Sequence, residues 1–109
     1  MKVDNNQDTL AIVSRFFGAI DRLREDGVIG GLKTITDRYG LNRWNIITMR
    51  KDPVMCGGFR AAWLSYIVRD YKVSPFWLLL GDGEFYQTGF DAEIVRKLQI
   101  NCKHSKRSA

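Results

Sequence analysis

Histidine is almost missing from this chain, with one residue in 109, His104, near the C-terminus. A Ser/His/Asp or Cys/His nucleophilic site needs an imidazole held beside a base or an orienting group, and nothing around His104 offers one. Cysteine is nearly as scarce. Cys56 and Cys102 do not make a disulfide framework, and free thiols in a cytoplasmic setting are the expectation. Cys102-Lys103-His104 supplies at most two metal ligands, short of a closed zinc site. No apolar run approaches the ~18 residues of a membrane span, and MKVDNNQDTL is polar and acidic, without the apolar core of a secretion signal. Gly81-Asp82-Gly83 has no lysine at phosphate-loop spacing and reads as a helix-ending turn. The acidic pairs Glu25-Asp26 and Asp91/Glu93 fall at expected helix ends, where capping and dipole roles explain them. The chain is therefore expected to be neither an enzyme nor a holder of a cofactor or metal.

What is present is enough for one domain. The composition is 45% hydrophobic and 27% charged, the balance of a globular fold with a modest core. Residues 1–7 are expected to fray. From Asp8 to Glu25, Leu10, Val13, Phe16, Phe17, Ile20 and Leu23 form an apolar stripe at helical spacing, with Asp8 or Thr9 as its cap and Gly27 as its end. Val28 and Ile29 are placed to plug the core. Pro53 disfavours helix at Asp52, and Val54–Gly58 reads as a mobile loop around Gly57-Gly58. A helix over 59–71 carries Trp63, Leu64, Ile67, Val68 and Tyr71. Ser74 is expected to cap a short helix with Pro75 at its first position. Its residues Phe76 to Leu80 are so apolar that it should be largely buried. Phe90, Ile94, Val95 and Leu98 predict a further helix to Ile100, capped by Thr88 or Asp91, which either pairs two copies of the chain or packs on its own domain. The implied organisation is a domain over 8–86, a C-terminal helix within 87–100 and a disordered basic tail over 101–109.

Charge is unevenly spread. Residues 31–60 hold six basic side chains (Lys33, Arg38, Arg43, Arg50, Lys51, Arg60) against two acidic ones (Asp37, Asp52), and the final nineteen hold five against two. Elsewhere acidic groups slightly outnumber basic ones. A polyanion partner would require such a concentration, although a solvated basic face produces the same pattern.

That basic segment contains the stretch around which the chain is organised, Leu32–Lys51, LKTITDRYGLNRWNIITMRK. Ile35 and Tyr39 lie one turn apart on a first helix, and Ile46 and Met49 share one side of a second. Gly40 between them suits a left-handed helix end, and Asn42 suits the next N-cap. Thr36 is small where the two helices approach. The stretch resembles the helix-turn-helix of the lambda-repressor-like (XRE) regulators, and more narrowly the phage CI-type repressor DNA-binding domain. A second match is VSPFWLLLGDG, Val73–Gly83, similar to the closing helix of that family and its terminal glycine turn. The resemblance spans roughly Phe16 to Phe85. It departs from the family pattern at Leu32 and Lys33, at Thr36 in place of alanine, and at the bulky Trp44.

The resemblance implies an all-α, five- to six-helix DNA-binding domain that recognises double-stranded DNA and regulates transcription, as a repressor occupying an operator. It places base contacts on Arg43, Trp44, Ile47 and Thr48, with Asn42 beside a phosphate. Arg43 can pair its planar fork with guanine O6 and N7, and Ile47 or Thr48 can meet a thymine methyl. Trp44 either stacks on the DNA backbone or folds over neighbouring basic stems. Lys33, Arg50, Lys51 and Arg60 are the expected phosphate contacts, which position a domain without choosing sequence. A homodimer follows from the need for two half-sites. The alternatives are a helical protein-interaction module that uses Trp44 and Ile47 as anchors, or a DNA-binding antitoxin.

Overall fold

The computed structural model describes residues 5–106, and side chains over 7–53 and 57–100. Cys56, Cys102 and His104 lie outside the described side chains, and residues 107–109 of the expected tail lie outside the described residues. The described chain is all-helical: α1 (Asn5–Glu25), α2 (Leu32–Tyr39), α3 (Arg43–Lys51), a 3₁₀ segment (Pro53–Gly58), α4 (Ala61–Tyr71), α5 (Pro75–Leu80) and α6 (Ala92–Lys106). The only β-type pairing among these residues is an isolated antiparallel bridge between Val73 and Tyr86. No described helix is long and apolar enough to cross a membrane.

α1 is the spine. Val13, Phe16, Phe17, Ile20 and Leu23 are all buried, the spacing that puts one stripe of a helix against the rest of a domain. The helix begins at Asn5, earlier than expected, so Asp8 and Thr9 lie inside its first turns and neither is its cap. At its far end the Val28 N–H donates to the Leu23 carbonyl, and Gly27 adopts a φ of 75°. That turn brings Val28 and Ile29 into the core, where both are buried. Phe16 meets Phe59 edge-on at 5.2 Å, and Phe59 meets Trp63 at 5.0 Å, which fastens α1 to the start of α4.

Three loop and end assignments differ from the sequence reading. Val54–Gly58 belongs to a 3₁₀ segment that packs against both α1 and α3, so it is an ordered strut and not a loose loop. Ser74 occupies the cap position of α5, but its side chain makes no capping bond; its N–H donates instead to the Phe85 carbonyl at 2.8 Å. α6 runs on through residue 106, so 101–106 continue the helix where a disordered tail was expected. Of the two candidate caps for α6, Asp91 is used, its Oδ1 accepting from the Ile94 N–H at 2.9 Å.

The largest correction concerns α5. Leu78 is fully buried and Trp77 packs edge-on against Phe85 at 4.8 Å, but Phe76 is 66% exposed, Leu80 65% and Leu79 43%. A helix of six residues makes fewer than two turns, and it leans on α1, so only one side is covered. Arg15 of α1 fastens it there by donating to the carbonyls of Leu78 and Leu79, both at 2.7 Å. Those carbonyls belong to the last turn and would otherwise lack partners. The apolar stripe of α6 resolves differently. Val95 is completely buried, Phe90 and Leu98 are half-buried and Ile94 is exposed, so one side of this helix packs on its own domain against α4.

Candidate nucleic-acid interface

Local chemistry positions α2 and α3. Ile35 and Thr36 are buried on the inner side of α2, and the Thr36 hydroxyl is satisfied by donating to the Lys33 carbonyl at 3.1 Å. Gly40 stands at φ 65°, ψ 34°, a left-handed conformation that costs other residues roughly 1–2 kcal/mol. No atom approaches where a Cβ would stand, so the demand for glycine comes from the backbone alone. The N–H groups of Gly40 and Leu41 both donate to the Thr36 carbonyl, which closes α2. Two residues later Asn42 begins α3, its Oδ1 accepting from the Asn45 N–H at 3.1 Å.

α3 divides its residues by face. Ile46 and Met49 are 1% and 2% exposed and anchor the helix to the core. Trp44 is 78% exposed, Arg43, Asn45, Thr48 and Lys51 are exposed with it, and Ile47 is half-buried at the margin. Of the residues singled out from sequence, Arg43, Trp44, Ile47 and Thr48 therefore share one short helix, with Asn42 at its head and Lys51 at its foot. Lys33 at the start of α2 and Arg60 before α4 are exposed too. Arg50 differs. Its guanidinium is ion-paired with Asp21 of α1, and both side chains are about two-fifths exposed. It ties α3 to the spine instead of standing free as a simple phosphate contact would.

A polar network supports α2 from behind. Tyr39 stacks on Tyr66 with ring centroids 4.3 Å apart and planes within 8°, and its hydroxyl donates to Asp70 at 2.5 Å. Arg69 makes two bonds of 3.0 Å to the same carboxylate, and Arg38 lies 3.7 Å from it. Arg38 also donates to Gln99 Oε1 at 2.7 Å, and Gln99 donates to the Asp70 carbonyl at 2.7 Å, so α2, α4 and α6 meet at one point. Burial alone would raise the Asp70 pKa. The bonds from Arg69 and Tyr39, with the charges of Arg38 and Arg69, outweigh it and hold the carboxyl below its ordinary value. Burial, and then the bond to that carboxylate, push the Tyr39 phenol far above its ordinary range. Among the described residues, no buried side-chain nitrogen or oxygen lacks a hydrogen-bond partner.

No family model, curated protein or solved structure matches the chain. The surface that stands out carries cationic, aromatic and small polar side chains on a rigidly capped helix. Such a surface can meet an anionic, groove-shaped partner with donors, a ring face and methyl groups at once.

Proposed function

We propose that the chain binds double-stranded DNA sequence-specifically and regulates transcription, as a repressor that occupies its operator, in the manner of the lambda-repressor-like helix-turn-helix regulators that Leu32–Lys51 resembles. The observation that carries this reading is the division of α3. Ile46 and Met49 are spent on the core, while Arg43, Trp44, Thr48 and Lys51 are left exposed on the same helix, and Lys33 and Arg60 are exposed on either side of it in the sequence. On this reading α3 enters the major groove with Arg43 foremost, because the first residues of such a helix reach deepest. The rival reading, a protein-interaction module anchored on Trp44, has that exposed ring in its favour. It leaves the surrounding cations without a purpose.

Mutations separate reading from positioning. Arg43→Ala should remove one bidentate base contact, costing roughly 1–3 kcal/mol on the selected site and relaxing preference at one base pair. Lys51→Ala should weaken selected and random duplexes by similar factors and flatten the salt dependence by about one unit of slope. Fluorescence anisotropy on a duplex selected from genomic fragments, against random duplex, gives the ratio for each variant. An unchanged ratio for Arg43→Ala with a collapsed ratio for Lys51→Ala would show that the reading face has been misplaced.

A single recognition helix covers few base pairs, so two copies on a pseudo-palindrome are part of the proposal, with half-sites about one helical turn apart. Because Val95 of α6 is spent on its own domain, the pairing surface we propose is α5, where Phe76, Leu79 and Leu80 are exposed. The native chain should sediment as a dimer at micromolar concentration, and Leu80→Ser as a monomer. A monomeric native chain, or a dimer indifferent to Leu80→Ser, removes α5 from this role.

A further inference from the structure

Beside α2, a cleft of about 670 Å³ opens between the α1–α2 connection and α6. That is within the ~300–1,000 Å³ of small-molecule sites. Its floor is apolar: Val28, Ile29 and Tyr71 are all buried, and Ile100 adds an exposed apolar wall. Two guanidinium groups, Arg38 and Arg96, line it against one carboxylate, Asp37. We propose that this cleft is a binding site for a small carboxylate with an apolar body, such as an aryl-substituted short-chain acid.

The two arginines differ in what they can offer. Arg38 is held from behind by Gln99 and Asp70, and its guanidinium also lies 5.2 Å from the centroid of the Tyr71 ring. Asp70 is shared with Arg69, so the Arg38 charge is only partly balanced and supplies a fixed but reduced positive field. Arg96 spends one N–H on the Asp26 carbonyl and is otherwise exposed, so its remaining donors can form the planar two-bond pair that a carboxylate accepts. Asp37 repels an anion, which favours placing the carboxylate at Arg96 and the apolar body toward Val28, Ile29 and Tyr71. A cation finds more repulsion than attraction here, and a neutral ligand leaves the arginine donors unused. The occupant would touch α2 and α6 at once, which gives it purchase on the junction where Arg38, Gln99 and Asp70 meet.

The probes are phenylbutyrate and its neutral analogue phenylbutanol, titrated calorimetrically into the full chain without DNA, so the outcome is independent of the proposed DNA binding. Phenylbutyrate should saturate one site at about millimolar concentration or below, with phenylbutanol roughly tenfold weaker. Arg96→Gln should erase that preference while leaving the alcohol unaffected. Ile100→Ser, which removes the apolar wall without adding a charge beside the arginines, should weaken both probes. Unchanged circular dichroism certifies each variant. Acid and alcohol binding alike, no saturable heat up to about 10 mM, or a folded Arg96→Gln that keeps its preference would each overturn the proposal.

Discussion

Ile46→Asp should leave the chain unfolded. The Ile46 side chain is 1% exposed and belongs to the same apolar core as Ile35 and Met49, so a carboxylate there would face hydrocarbon. A carboxylate forced into such a site must either ionise without a partner or take up a proton, and both are costly. The loss of the isoleucine's own burial adds several kcal/mol of the kind seen when large core side chains are removed. Together these approach the ~5–15 kcal/mol by which small domains are stable at all. The matched control is Thr48→Asp, two positions along on the exposed face, which should fold with stability within about 0.5 kcal/mol of the native chain. Far-UV circular dichroism during a thermal ramp reads both. A cooperative, native-like transition for Ile46→Asp would mean that α3 does not pack as described, and the assignment of its outward face would fall with it.

The second large effect concerns ionic strength. If Lys33, Lys51 and Arg60 neutralise about three phosphates, log K for duplex DNA should fall with log salt at a slope near −3. From about 50 to 200 mM salt, that slope removes roughly two orders of magnitude of affinity. Arg50 adds little to this count because Asp21 already balances its charge. The protein-interaction reading predicts no duplex binding, even at low salt. Anisotropy titrations over that salt range decide between the two, and salt-independent binding would be as damaging to the proposal as none.

How legible each part was depended on the distance along the chain over which it is determined. The α2–α3 unit could be read because its determinants are local: Gly40 ends one helix within its own turn, and Asn42 reaches an N–H three residues on. The apolar stripe of α1 was equally plain, since periodicity needs no knowledge of a partner. The pairs that brace the site join residues far apart, Arg50 with Asp21, Tyr39 with Asp70, and Arg15 with the end of α5, and no local pattern announces them. α5 was misjudged for a related reason. Composition reports how apolar a helix is, but its coverage depends on how many neighbours reach it, and here α1 attends to one side. The full length of α6 escaped because the apolar periodicity stops at Ile100, while the helix itself runs on to Lys106.

The alternation of buried and exposed positions along α3 has an evolutionary consequence. Residues that hold the helix in place, Ile46 and Met49, and those it offers outward, Arg43, Trp44 and Thr48, do not overlap, and the Asn42 cap serves any helix that follows it. Drift at the outward positions is thus largely uncoupled from folding, so, on the proposed reading of α3, a lineage could wander from one target to another without passing through unfolded intermediates. The same separation invites deliberate retargeting: randomising Arg43, Trp44 and Thr48 together leaves the inner face unchanged, and most members of such a library should remain folded. Few stretches of a small protein give selection, natural or directed, that much room.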